Sequence, residues 1–281
     1  MKSLALCVII RDESHYIAEW IAFHRLVGVA HFFVYDDSSV DGTQKVIARM
    51  NRGDITLHHH DEGWDVEAND GLHTDAGFHR APQTRAFEHF RKNHPHETSW
   101  CAFIDVDEFL FHTTVDSLPT VLEDYEEHCG VMVPWVIFGS NGHQRRPDGL
   151  TIESYTRRAE FGQPDPWGRH VKPIVRMDVP HQWGPSGSHV PVFGARRCPV
   201  TEWRSSNPWA MLPAVPSTLG LRINHYYHRS HEEAAAKMVR GYHNIPANYP
   251  GAERMALHDR NEVVDETILR FLPALKRELG L

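Results

Sequence analysis

Residues 4–37, "LALCVIIRDESHYIAEWIAFHRLVGVAHFFVYDD", decide the fold. Leu4–Ile10 is an apolar run short enough for a buried strand. Ser14 then precedes Ile17, Trp20, Ile21 and His24 at helical spacing, and Gly28 follows the last turn, which reads as N-cap, helix and C-cap. His31–Tyr35 is a second strand that ends in Asp36 and Asp37. A strand, a helix and a strand in so short a span predict parallel pairing through a right-handed crossover.

The pattern repeats outward from this unit. Asp41-Gly42 opens a helix carrying Val46, Ile47 and Met50, and Asp54–His58 is a third strand. A long polar loop follows, then a helix over Pro82–Phe90 and a strand over Trp100–Ile104. Such alternation predicts a mainly parallel α/β sheet with helices on both faces and a ligand site at the carboxyl ends of the strands.

Composition excludes several classes of function. The chain has 281 residues, 41% of them hydrophobic, which suits one large core. Its 29 basic and 37 acidic residues give a formal charge of -8, so nucleic acid is not an expected partner. No apolar run reaches the ~20 residues needed to span a bilayer, and no signal-peptide pattern opens the chain. Cys7, Cys101, Cys129 and Cys198 form no CxxC pair, so reduced thiols and a cytoplasmic setting are expected. His58-His59-His60, which could be a metal tract, reads as a solvated segment at a strand end.

The chemistry is concentrated at strand ends. In "CAFIDVDEFLF", residues 101–111, three carboxylates close an otherwise apolar run. On a continuing strand Asp105 and Asp107 would share a face, with Val106 and Glu108 on the other. Two adjacent carboxylates stay ionised when a cation joins them, and oxygen ligands favour Mg²⁺ or Mn²⁺; capping of the next segment is the alternative. Asp36 and Asp37 lie at the end of the second strand, beside Arg11, Asp12 and Glu13 at the end of the first. A carboxylate there could accept a hydrogen bond from a nucleobase imide, and the three strand ends converge on one site.

Four blocks occur in order over about residues 4–241: "RDESHYIAEWIAFHRLVGVAHFFVYDDSSVDGT", "WCAFIDVDEFLF", "VPWVIFGSNGHQRRPDGL" and "RINHYYHRSHEEAAAKMVRG". Together they resemble glycosyltransferase family 92 and its bacterial relatives in the family 2-like clan. The resemblance implies a GT-A fold, in which a Rossmann-like nucleotide-binding half is fused to an acceptor-binding half in one continuous, mainly parallel sheet. It implies one domain over residues 1–281, with the nucleotide-sugar half over about 1–112, the acceptor half over about 113–245 and a helical tail over 246–281. It also implies inverting transfer of a hexose, galactose-like or glucose-like, from a UDP-sugar donor to a saccharide or glycan acceptor. Asp105 and Asp107 would hold Mn²⁺ or Mg²⁺ against the diphosphate, with His225 as third ligand and with Asp36 and Glu13 near the uridine.

Other residues fit the same chemistry. Arg80, Gln83 and Arg85, at the start of the helix before the acidic strand, could meet phosphate or sugar hydroxyls, although a surface ion pair also explains Arg85. Lys172 and Arg176 add positive charge. The general base is not fixed; Glu160, Asp165 and Glu202 are candidates, Asp165 being equally a turn residue. Among Trp135, Trp167, Trp183, Trp203 and Trp209, one or two are expected at an acceptor platform. The glycines of "FGSNGH" would let backbone approach a ligand. Ser230-x-x-Glu233 predicts a capping box for a helix ending at Gly241, and residues 265–281 predict an amphipathic helix packed on the domain. A sugar-phosphate nucleotidyltransferase and a catalytically silent nucleotide- or carbohydrate-binding module are the alternatives, and peripheral membrane association is permitted.

Overall fold

β1 (Leu4–Ile10) is buried along its whole length and sorts its side chains by alternation. Leu4, Leu6, Val8 and Ile10 enter the main core on one face, while Ala5, Cys7 and Ile9 enter a second core on the other. A strand apolar on both faces belongs inside a sheet covered on both sides. The computed structural model describes residues 3–64, 82–160, 170–183, 189–194, 199–204, 219–240 and 251–281.

The chain alternates as the sequence predicts, through α1 (Ile17–Leu26), β2 (His31–Asp36), α2 (Thr43–Met50), β3 (Ile55–His59), α3 (Pro82–Asn93) and β4 (Trp100–Phe103). β3, β2, β1 and β4 are parallel neighbours in that order. α1 and Ile47 of α2 cover the main core, and Ala86, Phe87 and Phe90 of α3 cover the second. α1 begins later than the Ser14 cap would place it. The Tyr16 and Ile17 amides bond to the Glu13 carbonyl at 3.0 Å, while the Ser14 amide donates to Asp41 at 2.9 Å. After α1, Gly28 (φ +97) supplies a left-handed turn, and a Cβ there would stand 2.8 Å from Pro119.

The rest of the chain extends the same sheet. Its elements are β5 (Glu108–His112), α4 (Leu118–Leu122), β6 (Gly130–Ile137), α5 (Thr151–Ser154), β7 (Arg157–Arg158), β8 (Val171–Arg176), β9 (His181–Trp183), β10 (Pro191–Phe193), β11 (Val200–Thr201) and β12 (Leu221–His225). α6 (His231–Arg240), α7 (Gly251–His258), β13 (Val263–Val264) and α8 (Leu272–Leu279) complete them. β8 lies antiparallel between β4 and β6, β12 is parallel to β6, β5 closes the sheet antiparallel to β12, and β11 pairs with β6. β9 with β10 and β7 with β13 form separate antiparallel pairs; within the main sheet parallel pairings outnumber antiparallel ones, and that sheet runs through both halves as the GT-A expectation requires.

The sheet curls. β4 and β5 stand four places apart in strand order, about 19 Å on a flat sheet, yet residues 104–107 join them through a turn. β6 makes the bend by pairing with β8 over Gly130–Pro134 and with β12 over Trp135–Ile137. The curl brings the carboxyl ends of β4, β6 and β12 to one place.

Two surrounding features differ from the sequence reading. The tail forms a 3-10 turn over Thr267–Phe271 before α8, and Ile268, Phe271 and Leu275 join the main core. The glycine of "FGSNGH" is needed for another segment of the chain, since a Cβ on Gly139 would lie 2.6 Å from Arg260 N and Asn261 Oδ1. No helix among the described residues is long and apolar enough to cross a membrane.

Asp265 anchors the tail to the sheet. Arg222 donates to it twice, at 2.9 and 3.0 Å, and Arg158 donates at 2.7 Å. Burial raises the Asp265 carboxyl, but the two guanidinium groups outweigh it and hold the group well below its unfolded value of 3.8. The pair's contribution is therefore present above pH 3.8 and is lost as pH falls through the depressed folded value. Asp265→Ala leaves buried Arg222 without this carboxylate and should cost about 3–5 kcal/mol in urea unfolding at pH 7, with the difference shrinking in acid. An unchanged midpoint would show that the pair does not hold the tail.

Candidate functional site

The site begins where β1 and β2 end. Asp12 sits at φ 52; its amide donates to Ser39 Oγ at 2.9 Å and its carboxylate accepts from the Val40 amide at 2.8 Å. The Glu13 amide donates to Thr43 Oγ1 at 2.8 Å. Asp41 accepts from the Ser14 and Thr43 amides and the Thr43 hydroxyl; these bonds outweigh burial and hold its carboxyl down at about 2. The two loops thus form one rigid wall.

Asp36 is drawn into this lacing. The side chain is 1% exposed and both oxygens are engaged, by the Ser39 amide at 3.1 Å and by Gln44 Nε2 at 2.5 Å. It caps the loop after β2. Asp37 lies 3.9 Å from Arg11 and 3.8 Å from His60, so these charges occupy the rim.

At the end of β4 the strand does not continue through the acids. Ile104–Asp107 leave the sheet, and the Glu108 amide closes a turn onto the Asp105 carbonyl at 3.1 Å. Glu108 returns the bond, its Oε2 accepting from the Asp105 amide at 2.9 Å. The expectation that Asp105 and Asp107 share a strand face is therefore replaced by a turn that sends each carboxylate to a different cation. Asp105 accepts from Gln83 at 2.5 Å and from Lys172 at 2.8 Å. Asp107 accepts from Lys237 at 2.5 Å and lies 3.5 Å from His225 Nε2.

Glu108, expected on the opposite face, completes the group. It is 0% exposed and lies 3.6 Å from Lys172 and 4.0 Å from His225. One ligand atom each from Asp107, Glu108 and His225 falls within 4.8 Å of the others. Among the described residues Glu108 Oε1 and His225 Nδ1 are buried with no hydrogen-bond partner. Two carboxylates and an imidazole form a donor set of the kind that hard divalent cations accept. The indole of Trp135 backs the His225 ring at 4.2 Å between centroids and stacks on His170 on its far side at 5.1 Å.

Burial controls the protonation of this cluster. It would raise the Asp107 carboxyl, but Lys237 and His225 prevail and hold it well below the carboxylate range. For Glu108 burial prevails over Lys172, and Asp105 and Asp107 add to it, so its carboxyl is pushed well up. Burial works to lower Lys172, but Asp105 and Glu108 keep it raised and charged. His225 is lowered by burial in spite of Asp107.

α6 supplies charges that sequence reasoning did not assign. The Ser230–Glu233 capping box forms, with bonds of 3.1 and 3.2 Å between each amide and the other side chain. Tyr16 and Tyr155 hydroxyls also donate to Glu233, at 2.6 and 2.7 Å. Lys237 and Arg240 follow at helical spacing, and Arg240 reaches Glu13 at 2.9 Å and the Arg11 and Asp12 carbonyls at 2.8 and 2.7 Å. Arg229 lies 4.0 Å from Glu13 and places its guanidinium 3.5 Å from the centre of the Tyr16 ring. The 233, 237 and 240 spacing marked one charged helix face, but its target lies far away in sequence.

The remaining predicted residues divide. Lys172 is 1% exposed and serves the carboxylates from beneath. Arg176 pairs with Asp178. Glu160 is exposed beyond the carboxyl end of β6, following Ala159, whose amide bonds to the Ile137 carbonyl at 2.8 Å. Trp135 is at the site, Trp183 packs in the second core and Trp203 is exposed. Arg80, Asp165, Trp167, Trp209, Cys198 and Gly241 lie outside the described residues.

The model of glycosyltransferase family 92 matches residues 2–160. A family 92 protein of Oryza sativa subsp. japonica is 27% identical over 180 residues, covering 63% of this chain and 27% of its own. One of Ricinus communis is 29% identical over 189 residues, covering 63% of this chain and 29% of its own. The chain therefore spans less than a third of the length of these curated relatives. Among solved structures, glucosyl-3-phosphoglycerate synthase from Mycobacterium tuberculosis, in complex with Mn²⁺, UDP and glucosyl-3-phosphoglycerate, is 14% identical with a TM-score of 0.31, covering 48% of this chain and 44% of its own. Mannosyl-3-phosphoglycerate synthase from Rubrobacter xylanophilus is 13% identical with a TM-score of 0.36, covering 63% and 54%.

Lys172→Met keeps the volume and removes the charge beneath Asp105 and Glu108. Glu108, whose folded value is already raised, then binds its proton more tightly, and a raised folded value means stability that is present below the unfolded value and lost as pH rises. The variant should lose about 3–5 kcal/mol at neutral pH and less near pH 5, read by urea unfolding at both. A loss independent of pH would show that Lys172 acts through packing alone.

Proposed function

Because this chain belongs to glycosyltransferase family 92, whose model spans residues 2–160, we propose that it transfers a hexose from a UDP-sugar to a saccharide or glycan acceptor, with inversion and with Mn²⁺ or Mg²⁺ as cofactor. The observation that carries this reading is the buried acidic turn: Asp107, Glu108 and His225 offer three ligand atoms within 4.8 Å at the carboxyl ends of the strands. Among the described residues Glu108 Oε1 is buried without a hydrogen-bond partner and faces His225 Nε2 at 4.0 Å, so the donor set fits a cation. Asp107, Glu108 and His225 would hold it, and when bound it supplies Lewis-acid stabilisation to the departing diphosphate.

The chain's own residues do the rest. The wall laced by Asp12, Ser39, Asp41 and Thr43 fixes one side of the donor site, with Arg11 and Asp37 at its rim. Gln83 and Lys172 hold Asp105 in place, 35% exposed, where it can accept hydrogen bonds from the donor. Lys237 and Arg240 bring positive charge to the same mouth. As the acceptor oxygen bonds to the anomeric carbon, the bond from that carbon to the UDP oxygen breaks and UDP leaves with the electron pair. The acceptor proton passes to a carboxylate base, for which Glu160, exposed beyond β6, and Asp165 are the candidates.

Asp107→Ala should lower transfer from a UDP-sugar by at least ~10²-fold while thermal unfolding stays cooperative, measured as UDP release and product formed with Mn²⁺. Turnover at the unsubstituted rate by a folded Asp107→Ala protein would sink the assignment.

A further inference from the structure

A second set of side chains with metal-ligand chemistry lies outside the acidic turn. His228, His231 and Asp259 each present a ligand atom, and the three atoms lie within 4.8 Å of one another. They come from three places: His228 follows β12, His231 opens α6 and Asp259 follows α7.

Each group is set up for ligation by its own surroundings. His228 is buried, and its Nδ1 is 2.9 Å from the Arg229 carbonyl. A carbonyl only accepts, so Nδ1 carries the hydrogen and Nε2 keeps its lone pair. That is the arrangement of a ligating histidine whose other nitrogen donates to the backbone. Asp259 Oδ1 accepts from the Ser140 amide and from Asn261 Nδ2, both at 2.7 Å, which fixes the carboxylate in place. His231 is exposed, and its backbone amide is already bonded to the His143 carbonyl at 3.1 Å, so its ring is not needed to cap the helix. Among the described residues no hydrogen bond joins the Asp259 carboxylate to either ring.

We propose that His228, His231 and Asp259 form a second divalent-cation site, of the zinc class, that clips the start of α6 to the segment after α7. Two imidazole nitrogens and one carboxylate match zinc with water in the fourth position, whereas the acidic turn offers two oxygens and one nitrogen. The two sites therefore differ in the metal they prefer. The clip is structural: it fixes the root of the helix that delivers Lys237 to Asp107 and Arg240 to Glu13.

The test is titration of the chelator-stripped full chain with Zn²⁺ alone, read by competition with a chromophoric chelator. It is done in an Asp107→Ala, His225→Ala background, which removes the acidic-turn site, with and without His231→Ala. One equivalent of zinc is expected in the background and none after His231→Ala, a substitution at an exposed position that leaves the core untouched. If the background protein does not fold, the same comparison in otherwise unsubstituted protein should lose one equivalent on His231→Ala, together with the visible absorption of Co²⁺ bound in a tetrahedral nitrogen and oxygen site. Zinc bound equally well without His231, or no zinc bound by the folded background protein, would overturn the proposal.

Discussion

Buried carboxylates at the end of a strand must be given positive partners, and the structure is organised around that need. Lys172 is 1% exposed beneath Asp105 and Glu108, so its charge is not solvated by water. Removing an ion from water costs several kcal/mol unless a partner compensates it. The partners come from separate parts of the chain: Lys172 from β8, His225 from β12, and Lys237 and Arg240 from α6. The place of β8 beside β4 and the curl of the sheet bring these charges together. The two halves of the molecule therefore share both a sheet and an electrostatic centre.

Hydrogen bonds also cross-brace the wall beside this centre. Loops after β1 and β2 exchange side-chain bonds, Asp12 with Ser39 and Val40, and Asp41 with Ser14 and Thr43. Arg240 ties that wall to α6 through Glu13. A site on loops held by such bonds keeps its geometry without ligand, as a site that must orient a reacting centre requires.

Much of the fold was legible because its signals are local. Leu4–Ile10 forms a strand with the bounds its apolar run gives, and β2, α2, β3, α3 and β4 lie within a few residues of their predicted places. The Ser230–Glu233 capping box was readable for the same reason. The turn at Asp105–Asp107 was not, because the apolar residues around it imitate one long strand; only the pairing of β5 with β12 shows that the chain turns there. Lys237 and Asp107 are 130 residues apart, and Arg240 and Glu13 are 227 apart. No periodicity reports such a contact. Nor does sequence show that Ser39 and Gln44 donate to Asp36.

On the proposed function, the acidic turn would accept a cation and a diphosphate together. Calorimetric titration of the full chain with UDP, with and without Mn²⁺, tests this most directly when repeated on an Asp105→Ala, Asp107→Ala double variant. Binding that depends on Mn²⁺ and disappears in the variant is the expected result. UDP binding that needs no metal, or that survives loss of both carboxylates, would contradict it.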